Sequence, residues 1–256
     1  MGALGRLVQL LPGVWVARAR QYATLTTVLL DGAGGAVVVD PAWDPDELAA
    51  IPADLAALGV RCVAGVATHE HYDHVLWHPG LGEAPRWTSD RTADRLATDR
   101  DAILAPAAEF LTPDLLAVAG RLRPLPGATL PWAGPEARVI EHDAHAPGHI
   151  ALVLNAASVI LCGDMLSDVE LPMPADDDTT LGTYRAGLEA LAVQVRRSVW
   201  LVPGHGSPTD QPRARLEADL RYLDDVEAGY DSDDPRIGLP GMPELHAANL
   251  RRAGFG

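Results

Sequence analysis

The feature that most constrains this chain is the hexapeptide His69-Glu70-His71-Tyr72-Asp73-His74, which follows almost directly on an apolar stretch at residues 60–67. An apolar stretch of that length fits a strand buried on both faces. Three imidazoles and a carboxylate then crowd into one short segment. In an extended or turning backbone His69 and His71 project to one side, while Asp73 and His74 can turn toward a neighbouring point. One loop could therefore feed two adjacent cations. Nitrogen and oxygen donors together suit zinc best, with iron or manganese as the alternatives.

Three further polar clusters follow: His142-Asp143-Ala144-His145-Ala146-Pro147-Gly148-His149, Cys162-Gly163-Asp164 and Pro203-Gly204-His205-Gly206. Alternation and β-branched content predict strands over residues 14–19, 24–30, 36–39, 60–67, 138–141, 150–155, 158–162 and 198–202. Helical spacing covers residues 46–58, 181–195, 212–228 and 244–252, and most of 89–122, broken at Pro106 and Pro113. The glycine cluster after Asp31 precedes a strand rather than opening a helix, so it reads as a hairpin turn and not a nucleotide loop. Every polar cluster falls just past the end of an apolar strand. Layered α/β folds place their sites there, because strands hold the loops rigidly.

The ordered set His69, His71, Asp73, His74, His145, Asp164 and His205 resembles the metal-binding residues of the metallo-β-lactamase superfamily, from the N-terminal strands to about His205. The resemblance implies an α/β fold, an αββα sandwich forming a single domain over residues 1–256. It implies two zinc ions, with iron or manganese as alternatives. His69, His71 and His145 would bind the first, Asp73, His74 and His205 the second, and Asp164 would bridge them. His145-Ala-Pro-Gly-His149 is similar to the family's His-Thr-Pro-Gly-His segment, whose first histidine is the ligand, so His149 is expected behind the ligands. Asp40, at the end of an early strand, is expected to support the metal loop in the same way. His142 is expected to be an exposed strand-end residue. Glu70, Tyr72 and Trp77 are candidates for the substrate pocket, with Trp87 and Trp132 beside them.

Two cations bridged by one carboxylate can share a water and lower its pKa toward neutrality. The resemblance thus implies a hydroxide attacking the carbonyl of an ester, thioester or lactone, with Asp73 and Asp164 catalytic and Asp73 carrying a proton to the leaving group. The alternatives are a mononuclear iron enzyme that oxidises persulfides and a catalytically silent metal-binding protein. After Asp164 come Met165-Leu166-Ser167-Asp168, without the tyrosine of quorum-sensing lactonases. The chain also has no lysine of the kind with which glyoxalase II enzymes grip glutathione. A net charge of −15 repels phosphodiester backbones, which points to a small-molecule substrate and away from nucleic acid. No apolar run is long enough to span a bilayer and no leader peptide is evident, so a cytoplasmic monomer or homodimer is expected. The two cysteines, Cys62 and Cys162, read as reduced core thiols.

Overall fold

The computed structural model describes residues 3–175 and 178–255. The first sheet has eight strands in sequence order: β1 (Ala3–Leu4), β2 (Leu7–Leu11), β3 (Val14–Arg18), β4 (Leu25–Leu30), β5 (Gly35–Val39), β6 (Arg61–Val66), β7 (Arg86–Thr88) and β8 (Arg123–Pro124). The pairing is antiparallel as far as β5 and parallel from there on. The switch follows from the connections. Tight turns join the early strands, whereas α1 (Pro45–Ala57) crosses from β5 to β6. The second sheet holds β9 (Arg138–His142), β10 (His149–Leu154), β11 (Val159–Leu161) and β12 (Trp200–Val202), in the order β12-β11-β10-β9. The remaining helices are α2 (Asp90–Leu104), α3 (Pro113–Val118), α4 (Leu181–Arg197), α5 (Pro212–Glu227) and α6 (Met242–Arg252).

Strand periodicity assigns each apolar side chain to a layer. On β5, Val37 and Val39 point into the space between the sheets, and Ala36 and Val38 point toward the helices. On β10, Ile150, Leu152 and Leu154 face the first sheet, while Ala151 and Val153 face α4 and α5. Three apolar layers result. One lies under α1, α2 and α3, one lies between the sheets, and one lies under α4, α5 and α6. The architecture is an αββα sandwich in a single domain; the strand expected to be buried on both faces over residues 60–67 is buried only in its second half, from Ala64 on. Among the described residues no helix is long and apolar enough to cross a membrane.

The region of residues 89–122 is less helical than its spacing suggests. Helix α2 stops at Leu104, a 3₁₀ segment (Ala105–Glu109) follows, and α3 is a single short helix after Pro113. The C-terminal carbonyls of α3 are gathered by arginines: Arg86 donates to Val118 O, and Arg100 donates to Leu116 O and Ala119 O. Cation and carbonyl dipole are thus matched at the helix end. His142 does not have the exposure expected of it. It is the last residue of β9, pairs in register with His149, and is buried. Cys162 is fully buried, Cys62 half-buried, and both are free thiols. Burial pushes the Cys62 thiol up to about 12, so it is protonated and unreactive at neutral pH.

Leu152 has no solvent exposure and sits in the layer between the sheets. Leu152→Ala is expected to destabilise the protein by about 2–5 kcal/mol, since neither sheet can collapse onto the gap. Chemical denaturation would measure this, and a loss below about 1 kcal/mol would mean the layer relaxes freely.

Candidate metal centre

The donors sit at one edge of the sandwich, where strands of both sheets end. The loop after β6 supplies His69, His71, Asp73 and His74. The turn before β10 supplies His145, the end of β11 leads to Asp164, and the end of β12 leads to His205. Main-chain hydrogen bonds stitch the sheets together here: Ile150 N–H donates to Thr68 O (2.8 Å), Leu25 N–H to Gly204 O (2.7 Å) and Gly206 N–H to Ala23 O (3.0 Å).

Within this edge the seven residues fall into two groups. His69, His71, His145 and Asp164 form one, and Asp73, His74 and His205 form the other. In the first, His71 Nδ1 lies 3.0 Å from both His69 Nε2 and His145 Nε2. In the second, His74 Nε2 lies 3.2 Å from His205 Nε2, and Asp73 Oδ2 is 3.4 Å from His205 Nε2. Asp164 stands between them, its Oδ2 at 3.3 Å from His145 and 3.2 Å from His205, its Oδ1 at 3.0 Å from His74.

The backs of the rings decide what the fronts can do. Thr68 donates its hydroxyl to Asp40 Oδ2 (2.7 Å), so the same oxygen accepts from His69 Nδ1 at 3.1 Å. His74 Nδ1 faces Asp40 Oδ2 (3.1 Å), His145 Nδ1 faces Met173 O (2.8 Å) and His205 Nδ1 faces Tyr22 O (2.9 Å). Each of these four rings therefore carries a proton on Nδ1 and turns Nε2 to the centre, where it can bind a cation in place of a second proton. With ring nitrogens 3.0–3.2 Å apart, a proton or a cation must lie among them to keep their lone pairs from repelling. Asp164 Oδ1 is buried opposite His74 Nε2 at 3.0 Å, so it too needs positive charge facing it. The residues thus fit a divalent metal on donor chemistry alone.

Without metal, protons play that part. Burial pushes His205 down, but Asp164 together with Glu170 and Asp73 outweighs it and raises this imidazole to about 10. His74 is raised well above its ordinary value in the same way, against burial, by Asp164, Asp73 and Asp40. Burial dominates at His145, which falls to about 3, and at His69, which falls well below the ordinary range. For Asp164, burial is overcome by His205, His74 and His69, so it stays ionised far into acid.

Two supports carry backbone strain. Asp40 has φ +46°, and Tyr22 and Ala23 have φ +53° and +55°, a region costing roughly 1–3 kcal/mol for a residue with a side chain. At Asp40 the strained turn delivers the carboxylate to Thr68 N–H (2.8 Å), the Thr68 hydroxyl and His74. At Tyr22 it aims a carbonyl at His205. Close approach matters at Gly204, where a Cβ would stand 2.0 Å from Asp164 Oδ1.

Of the other anticipated residues, His149 packs its ring against that of His69, with centroids 4.8 Å apart. Tyr72 packs edge-on to Trp43, beside Tyr22 and Phe110, in an aromatic rim whose outer members are exposed. Glu70 and Trp77 do not line an open channel. Glu70 is 1% exposed, with Arg95 at 3.0 Å and Thr92 at 3.4 Å. Trp77 is 4% exposed, under Gly65 and the Arg86 guanidinium, because its ring fills the helix-side layer. Sequence reasoning missed Thr24, whose hydroxyl lies 3.2 Å from Asp73 Oδ2, and Thr68. It also missed Glu170, which lies with Asp164 and His205 and is raised to about 7 by burial.

A layered fold whose strand ends carry His and Asp groups able to hold divalent metal defines a metalloprotein of the αββα class. The chain belongs to the metallo-beta-lactamase superfamily, whose profile matches residues 23–224. Among solved structures it is similar to a metallo-beta-lactamase family protein from Thermus thermophilus, at 23% identity and TM-score 0.66, over 86% of this chain and 83% of that one. It is also similar to a metallo-beta-lactamase from Hirschia baltica, at 20% identity and TM-score 0.58, over 85% and 96% of the two chains. A stereoselective inverting sec-alkylsulfatase from Pseudomonas sp. aligns at 16% identity and TM-score 0.69, over 97% of this chain but 49% of its own length. Comparison with curated protein sequences finds no match.

Because the surrounding carboxylates raise His74 and His205 toward their protonated forms, a cation seated there must displace protons. Calorimetric titration of metal into metal-free protein at about pH 7, in buffers of different ionisation enthalpy, is expected to show net release of protons. Apparent affinity is expected to weaken as pH falls; binding without proton release would contradict this charge state. Asp40→Ala removes acceptors from Thr68 and His74, and is expected to weaken metal binding by about 10–100-fold. Competition with a chromogenic chelator measures that loss, and unchanged affinity would assign Asp40 to folding alone.

Proposed function

We propose that this protein is a binuclear metal-dependent hydrolase acting on an ester, thioester or lactone of a small metabolite. The observation that supports it best is the sharing of Asp164 between two complete donor groups. His69, His71, His145 and Asp164 would hold one cation, and Asp73, His74, His205 and Asp164 the other, with zinc the expected metal and iron or manganese the alternatives. Bound divalent cations supply Lewis acidity and make water a nucleophile near neutral pH.

The chain's own residues do the rest. Asp73, steadied by the Thr24 hydroxyl, orients the attacking water and passes a proton to the leaving group. Tyr22, Tyr72 and Phe110, backed by the buried Trp43, offer an apolar wall next to the donors for the carbon skeleton of the substrate. The strongly acidic chain favours a small molecule over a nucleic acid.

Elemental analysis of protein purified without added metal, joined to an ester, thioester and lactone screen, tests the reading. About two ions per chain with turnover on the panel is expected. About one iron per chain with oxygen consumption on persulfides would replace it with the redox alternative. Full loading with no turnover would favour a silent metal-binding protein. Asp73→Ala is expected to lower kcat by about 10²–10⁴. Retention of both metals and full activity in that variant would remove Asp73 from the reaction.

A further inference from the structure

The segment after Asp164 is held unusually firmly for a loop. The Ser167 hydroxyl donates to His205 O (3.0 Å) and accepts from the N–H groups of Val169 (3.0 Å) and Glu170 (3.1 Å). From the other side, Arg236 Nη1 donates to Ser167 O and to Glu170 O, both at 2.9 Å. Arg236 is itself buried and pinned by Asp219 (2.7 Å) and Asp234 (2.7 Å). The backbone of Glu170 is therefore fixed at both its N–H and its C=O.

The side chain that this framework carries points back to the centre. A carboxylate oxygen of Glu170 lies within 4.8 Å of ligand atoms of both Asp164 and His205. Among the described residues no side chain donates a hydrogen bond to that carboxylate. A half-buried carboxylate without a donor is balanced either by a proton or by a cation. The side nearest to it belongs to the second donor group, through His205.

We propose that Glu170 is a further metal ligand, a third carboxylate on the second metal position. This rests on the binuclear reading above. The two positions then differ in kind. The first offers three imidazoles and the shared Asp164. The second offers two imidazoles and the oxygens of Asp73, Asp164 and Glu170. Imidazole-rich sites suit zinc, whereas carboxylate-rich sites suit manganese. Three carboxylates also bring the formal charge of two divalent cations down from about +4 to about +1, which suits a site with so little solvent.

The test is titration of metal-free wild type, Glu170→Gln and Glu170→Asp with Zn²⁺ and with Mn²⁺. Bound metal per chain is read by elemental analysis after gel filtration, and free Mn²⁺ by electron paramagnetic resonance. Wild type is expected to take about two ions. Glu170→Gln is expected to keep its first Zn²⁺ with wild-type affinity, which also reports an intact fold, and to bind Mn²⁺ at the second position at least about 10-fold more weakly. Glu170→Asp is expected to fall between them, and serves as the readout if the glutamine variant does not fold. A second Mn²⁺ bound equally by wild type and both variants would overturn the role of Glu170 while leaving the binuclear reading intact. A wild type that takes only one ion of either metal would overturn both.

Discussion

One carboxylate holds the arrangement together. Asp40, at the end of β5, accepts from the Thr68 main chain and hydroxyl and faces His74 Nδ1. Those contacts fix the start of the donor loop, the back of His69 through Thr68, and the ring of His74. They span two parallel strands, β5 and β6, so the β-sheet register itself becomes part of the donor geometry. The positive φ of Asp40 is tolerated because three partners over-determine it.

The electrostatics follow from that geometry. Rings whose rear nitrogens are committed to oxygens turn their other nitrogens forward, and nitrogens gathered in a buried space need a proton or a cation among them. Asp164, Asp73 and Glu170 supply the opposing field. The balance differs across the centre: imidazoles near several carboxylates are raised, and those surrounded mainly by other imidazoles and apolar burial are lowered. One compact cluster therefore contains two electrostatic environments, divided at Asp164.

Much of this is legible in the sequence, for a physical reason. Ligands on one tight loop must be near neighbours in the chain, so His69 to His74 declare themselves by spacing. His145, Asp164 and His205 declare themselves by standing at strand ends. What stays hidden depends on the rest of the fold. Tyr22 and Met173 act through carbonyls that any residue would offer. Strands β7 and β8 are two or three residues long and exist only by pairing with β6 and with each other, next to prolines that weaken their local signal. His142 is buried because it pairs with His149, a non-local contact. Glu170 lies just beyond Asp168, where the motif comparison ends, and its position depends on Arg236 from the far end of the chain.

The donors come from both sheets: four from the loop after β6, and three from the ends of the second sheet. A cation bound among them would act as a rivet through the sandwich, tying its two halves at one edge. The spacing between the sheets is set by the side chains of the middle layer, such as Val39, Val66, Ile150 and Leu161. Metal affinity would then be a gauge of that spacing. A substitution deep in the middle layer could alter the centre without touching a ligand, and loss of the cation would loosen the seam between the sheets before either sheet itself came apart.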